Sequence, residues 1–183
     1  MPGGVTDRVA DDASGDADAF SAWAAHAQRR LLRTAVLLTG DHQRAEDLVQ
    51  EALVKVALRW RRLRDGRPEA YARQVLVRDN ISWWRKHRRE VLVEPPDRGT
   101  RDQSEVSDRR LLLDGALAAL TPRQRAVVVL RYYDDLTERA TAEALGVAVG
   151  TVKSQTHLAL RRLAEAAPEL ADLLGHDVGE EVP

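Results

Sequence analysis

Apolar residues recur along this chain at the spacing that places them on one side of a helix. From Ala19 to Thr39 the stripe is Phe20, Trp23, Ala27, Leu31, Ala35 and Leu38. Gly40-Asp41 interrupts it, and Asp41 is suited to cap the next helix by accepting from its unpaired N–H groups. That helix, about His42 to Trp60, puts Ala45, Leu48, Val49, Ala52, Leu53, Val56 and Trp60 on one face. Residues 64–68 read Arg-Asp-Gly-Arg-Pro, a loop because Gly and Pro both interrupt helices, and a third helix runs from Glu69 to about Arg89. After a mostly polar stretch with Pro95-Pro96, Leu111, Leu112, Ala116, Leu117 and Leu120 mark another helix. Thr121-Pro122-Arg123-Gln124 is a sharp helix start, with Thr as N-cap, Pro at the first position and Gln able to complete a capping box. The helix it opens turns Ala126, Val127, Leu130 and Tyr133 inward.

The segment Thr137 to Leu163 then reads as two short helices around a tight turn. Ala140, Ala144, Leu145, Val147, Val152, Thr156, Ala159, Leu160 and Leu163 supply its buried side, and Gly146 stops the first helix by taking the left-handed conformation. The fold predicted is all-α: two small helical domains, 19–90 and 108–167, joined by a flexible linker at 91–107, the second ending in a helix-turn-helix. Residues 1–18, rich in Asp, Ala and Gly, read as a disordered acidic N-terminus, and 168–183 as an acidic tail.

Charge sharpens this picture. The net charge of -1 over 183 residues conceals strong segregation. Residues 59–90 hold eleven Lys/Arg against four acids, whereas 165–183 hold six acids and no Lys or Arg. A basic middle between acidic ends implies a polyanionic partner. With no cysteine, disulfides, Cys-ligated zinc and thiol catalysis are excluded. No apolar run approaches the roughly 18 residues of a membrane span, and the acidic N-terminus lacks a secretory pattern. A cytoplasmic protein without membrane insertion is expected. The five histidines are scattered, no carboxylate cluster has metal-like spacing, and no Gly-rich loop suits a nucleotide. No enzyme activity, cofactor or metal is expected.

Three constellations carry candidate chemistry. In the helix-turn-helix, Gly150 and Thr151 open the second helix, where N–H groups and the helix dipole suit phosphate. Lys153, Ser154 and His157 lie together on its polar face, where Lys can donate to guanine and Ser can give or accept a hydrogen bond. The plain alternative is a structural helical hairpin, with His157 an ordinary surface histidine. In the second, Trp83 and Trp84 sit beside Arg85, Lys86, Arg88 and Arg89. Adjacent residues point about 100° apart on a helix, so one Trp packs inward and the other is partly exposed. Rings interleaved with cations suit unpaired strands, although an interfacial Trp on a solvated basic face has the same residues. The third is the acidic strip Glu46, Asp47, Gln50 and Glu51, which by itself is also an ordinary solvated face.

Taken together, the words LLRTAVLLTGDHQRAEDLVQEALVKVALRW, EAYARQVLVRDNISWW and LTPRQRAVVVLRYYDDLTERATAEALGVAVGTVKSQTHLALRRL resemble the extracytoplasmic-function (ECF) sigma factors of bacterial RNA polymerase, of the sigma-70 superfamily, and more narrowly the SigE-like actinobacterial subgroup. The resemblance covers most of residues 20–166 and omits the acidic ends. It implies a transcription initiation factor that binds core RNA polymerase and directs it to promoter DNA. Residues 19–90 would be a region 2-like domain for the polymerase and the −10 element, and 108–167 a region 4-like domain for the −35 element. The D-L-V-Q-E word implies that Asp47, Gln50 and Glu51 meet the polymerase clamp helices. The loop Arg61 to Glu69 and the helix after it would hold a flipped −10 base, which brings in Arg64, Arg67 and Arg78. Trp83, Trp84, Arg85, Lys86, Arg88 and Arg89 would meet the duplex where melting starts, and Gly150, Thr151, Lys153, Ser154 and His157 would read the −35 element. An anti-sigma protein is implied as a further partner.

One position departs from the pattern. Relatives usually carry Asn directly after V-L-V, where this chain has Arg78, and Arg lacks an amide's paired donor and acceptor. Asn80 would replace it only with a shifted helix register. Two rival readings are a stand-alone dimeric helix-turn-helix regulator, which leaves the Trp-Arg segment and acidic strip without a role, and a helical adaptor whose basic face binds an acidic protein.

Overall fold

A computed structural model of the chain describes the backbone of residues 5–91 and 108–168, with side chains for 15–87 and 112–168. Every regular element among the described residues is helical. Helix α1 spans Val5–Thr39, α2 His42–Ala57, α3 Trp60–Leu63 and α4 Pro68–Val91. In the second half α5 spans Asp108–Ala118, α6 Pro122–Val128, α7 Glu138–Leu145 and α8 Val149–Ala166. The linker expected at 91–107 and the tail expected from 168 lie, but for their first residue, outside the described residues.

The predicted stripes become the core. Ala27, Leu31, Ala35 and Leu38 of α1 are buried against Ala45, Leu48, Val49, Ala52 and Val56 of α2. Gly40 ends α1 at φ +75°, and Asp41 caps α2 by accepting from the Arg44 N–H at 2.7 Å. At α6 both halves of the capping box form: Thr121 Oγ1 accepts from the Gln124 N–H, and Gln124 Oε1 accepts from the Thr121 N–H. Such a cap is worth about 1 kcal/mol.

Several expectations are corrected. Helix α1 begins at Val5, well inside the stretch read as disordered. Pro2, Gly3 and Gly4 stand just before its start in the sequence. The second helix stops at Ala57, a turn intervenes at 58–59, and Trp60 starts α3. Leu112, expected inward, is 41% exposed. A π-helical turn, Val129–Tyr133, extends α6. Its wider winding rotates Tyr133 out of the predicted inward stripe to 44% exposure.

The two helical halves also share one core. Ala126, Val127, Leu130, Ala142, Leu145 and Val152 join the cluster built by Leu31, Leu38, Val49, Leu76 and Val77. A smaller cluster in the second half contains Leu117, Leu120, Val128, Ala159 and Leu163. The stripes of α6 and α7 are broader than one small hairpin can cover, and α1 and α4 supply the rest of the cover.

Candidate nucleic-acid interface

The helix-turn-helix forms as its pattern predicts. Thr137 caps α7 by accepting from the Ala140 N–H, and Gly146 ends it at φ +66° with the Val147 N–H returning to the Ala142 carbonyl at 3.0 Å. Helix α8 buries Val152, Ala159 and Leu163 and leaves Gly150, Lys153, Ser154 and His157 exposed, with Thr151 half-buried. Its N-cap, Ala148, makes no side-chain capping bond, so the first-turn N–H groups are not satisfied by a cap. Lys153 is 3.7 Å from Glu138, a loose exposed pair that an incoming phosphate or base can replace.

The basic residues of α3 and α4 are less uniform. Arg67 and Arg85 are exposed, as is Lys86. Arg64 pairs with Asp16, and Arg61 reaches the other oxygen of the same carboxylate at 2.8 Å. The hydrogen bond from Arg61, with both guanidinium charges, holds the Asp16 carboxyl below its ordinary range against the opposing effect of burial. The pair is therefore intact at neutral pH and is lost only as pH falls through that lowered value. The side chains of Arg88 and Arg89 lie outside the described residues.

Trp83 and Trp84 are both half-buried and meet edge-to-face at 5.4 Å. The Arg44 guanidinium stands 3.3 Å over the Trp83 ring, and the His87 imidazole stacks on it at 4.3 Å. Two groups this close to one ring cannot share a face, so Trp83 is sandwiched and Trp84 is the ring left for an outside partner. Burial lowers the Arg44 pKa to about 10 despite the nearby carboxylates of Asp41, Glu51 and Asp47, so the cation persists at neutral pH. Arg44 also donates to Asn80 Oδ1 at 3.2 Å, and Asn80 Nδ2 donates to the Leu38 carbonyl at 3.2 Å. Asn80 is fully buried and committed to holding α1, α2 and α4 together, so it does not take the place of the amide missing at Arg78.

Asp47, Gln50 and Glu51 are exposed on α2, next to this stack. Asp47 and Glu51 share a groove of about 380 Å³ with Trp83 and Lys86, bringing the acidic strip and the start of the Trp-Arg segment onto one surface. Lys55 pairs with Asp79 along the same groove.

Sequence reasoning missed the residues that join the halves. Arg73 Nε donates to Asp134 Oδ2 at 2.8 Å, and Thr34 Oγ1 donates to Asp134 Oδ1 at 2.9 Å. Two further contacts are reciprocal. Arg125, from α6, donates to the Leu37 carbonyl and packs on Gly40, where an added Cβ would lie 3.1 Å from its guanidinium. Arg78, from α4, packs on Gly146, where an added Cβ would lie 2.8 Å from Nη2. Arg78 thus rests on the turn of the helix-turn-helix. The charged residues at 73, 125 and 134 were visible in the sequence, but nothing local pairs them.

Residues 23–90 match the family model for sigma-70 region 2, and residues 110–163 match that for sigma-70 region 4. The chain is 42% identical over 157 residues to an RNA polymerase sigma-E factor of Streptomyces avermitilis, covering 84% of this chain and 87% of that protein. It is 37% identical over 148 residues to the ECF RNA polymerase sigma factor SigL of Mycobacterium tuberculosis, covering 76% and 84%. The chain belongs to the extracytoplasmic-function sigma factors. Among solved structures it resembles the sigma factor RpoE of Bartonella quintana, solved in complex with the anti-sigma factor NepR, with a TM-score of 0.62 at 26% identity over 80% of this chain and 95% of that one.

As an ECF sigma factor the protein works with RNA polymerase in promoter recognition and transcription initiation. The region 2 match takes in the acidic strip, the Trp-Arg segment and Asn80, and the region 4 match takes in the whole helix-turn-helix. Asp16 lies outside both. Among the described residues no helix is long and apolar enough to cross a membrane.

Proposed function

We propose that this sigma factor reads the −35 element through Gly150, Thr151, Lys153, Ser154 and His157, and opens the −10 element with Arg64, Arg67, Arg78, Trp84 and the basic end of α4. The observation that carries this reading is the joint exposure of Lys153, Ser154 and His157 on a helix whose opposite face is buried. Asp47, Gln50 and Glu51 dock on the polymerase clamp helices, and the polymerase performs the chemistry in the cytoplasm. Arg78, lacking an amide's paired groups, gives the −10 pocket a base preference of its own.

The closed arrangement is the idle form. The two promoter elements lie about 25 base pairs apart by their numbering, roughly 85 Å at ~3.4 Å per pair. A compact chain of this length has a radius of gyration of about 16 Å. Both elements are therefore beyond the reach of halves that share one core, and the halves part on the polymerase. RpoE, the similar structure, is held by an anti-sigma factor, and a protein of that class is the partner proposed for the idle form here.

Co-elution with purified core polymerase tests the docking. The wild-type chain co-elutes, while Asp47→Ala with Glu51→Ala weakens the complex. Unchanged affinity in the double variant would make the strip an ordinary surface. A dimer bound to a palindromic operator without polymerase would instead support a stand-alone regulator.

A further inference from the structure

Asp16, Phe20 and Trp23 fall on one face of α1 by helical spacing. Phe20 meets Trp60 edge-to-face at 5.5 Å, and Trp23 lies 5.6 Å from the same ring. This aromatic cluster docks the first half of α1 against α3 and fixes where Asp16 stands. Its carboxylate, with only 12% of the side chain exposed, is bridged by Arg61 and Arg64, one to each oxygen. The two guanidiniums remain 64% and 42% exposed and converge on Asp16 at the edge of an open cleft of about 840 Å³, with Arg64 Nε also 3.6 Å from the exposed Asp65. Trp60 lines that cleft and is 7% exposed, and its buried Nε1–H has no hydrogen-bond partner among the described residues.

Two converging arginines beside an aromatic wall make a site for a nucleic-acid strand: guanidiniums for the phosphate, and the half-buried Phe20 ring for what the phosphate carries. We propose that Arg61 and Arg64 form a backbone-phosphate site for single-stranded DNA, and that Asp16 occupies it as an intramolecular phosphate mimic. The N-terminal part of α1 then acts as a competitor that strand binding displaces. A strand phosphate offers the same two guanidiniums an anion in place of the Asp16 carboxylate, so the mimic can yield to a polyanion. The identity of the strand, the −10 non-template strand, and the part Arg64 plays on it rest on the proposed function; the competition by Asp16 does not.

The test is anisotropy of a labelled single-stranded oligothymidine with the full chain over a salt series. Asp16→Asn tightens binding about 2- to 5-fold. It also steepens log K against log salt by about 0.7 for each phosphate newly engaged. Asp18→Asn makes the same charge change at an exposed position two residues on and leaves the slope unaltered. Adding Arg61→Ala and Arg64→Ala to Asp16→Asn removes the gain. Circular dichroism confirms that each variant keeps its helices. Equal effects of Asp16→Asn and Asp18→Asn, or an unchanged slope with Asp16→Asn, would overturn the proposal. Failure of the promoter reading shows separately, as a wild-type chain that supports no promoter-dependent transcription.

Discussion

Arg73 of α4 donates its Nε–H to Oδ2 of Asp134 across 2.8 Å, a charge pair with side chains only 10% and 3% exposed that fastens one half of the chain to the other. It does not stand alone: Glu69 reaches Arg73 at 3.5 Å and Arg30 at 2.6 Å, and Thr34 holds the second Asp134 oxygen. Buried charges are costly unless paired, and removing one partner typically costs about 3–5 kcal/mol where the other stays buried. Here the halves have an alternative, since separation returns the orphaned charge to water.

The first prediction follows from that alternative. Asp134→Ala lowers the thermal transition and increases the radius of gyration measured by small-angle scattering of the full chain. The double variant Arg73→Ala, Asp134→Ala opens no further than the worse single one, because both remove one interaction. Identical scattering from wild type and Asp134→Ala would show that the shared apolar core alone holds the halves together.

Gly146 serves two purposes at one atom: it takes φ +66° to end α7, and its bare Cα gives room to the Arg78 guanidinium. Gly146→Ala should destabilise the protein by about 1–2 kcal/mol through the left-handed backbone. Arg78 is flexible and able to swing aside, so denaturant titration gives nearly the same loss in an Arg78→Ala background. A loss that vanishes in that background would mean that the close approach, not the backbone, dominates.

How much of this was legible from the sequence depends on how far apart the interacting residues lie. The stripe on α2, the Thr121–Gln124 capping box and the Gly146 stop are written within a few positions, and all form. One of Trp83 and Trp84 was expected to pack inward, yet both are half-buried, and the choice of Trp83 as the covered ring is not local. That choice is made by Arg44 and Asn80 on other turns and helices, through contacts no local pattern encodes. Thr34 and Arg73 meet Asp134 across long stretches of chain, and the π-helical turn that carries the chain to Asp134 has no periodic signature. Asp16 was readable as acidic composition, but its role depends on two arginines brought beside it by the Phe20–Trp60 contact. The local helix signals were thus legible, and the packing that joins the halves was not.

The two tryptophans should separate by assay. Trp84→Ala weakens open-complex formation by about 1–3 kcal/mol, the value of one base stacked on an aromatic ring. Trp83→Ala costs folding stability instead, including about 1–2 kcal/mol for the desolvated cation–π contact with Arg44. Arg44→Ala reproduces the Trp83 loss. Permanganate footprinting of the melted strand and thermal denaturation provide the two readouts. Trp83→Ala with full stability and defective melting would place the wrong ring at the DNA.

Lys153 offers a site-specific test of α8. Lys153→Ala should reduce −35-dependent transcription by about 1–3 kcal/mol of discrimination, while core binding measured by co-elution stays unchanged. Equal loss of polymerase binding would show that α8 contributes to docking.

The central claim is that this ECF sigma factor brings core polymerase to promoters bearing paired −35 and −10 elements. Its most direct test is in vitro transcription with purified core polymerase on genomic template, followed by mapping of the start sites. The account predicts discrete starts that require the factor and share two upstream motifs. Factor-dependent starts without a common −35 motif, or none at all from a chain that co-elutes with core, would contradict it.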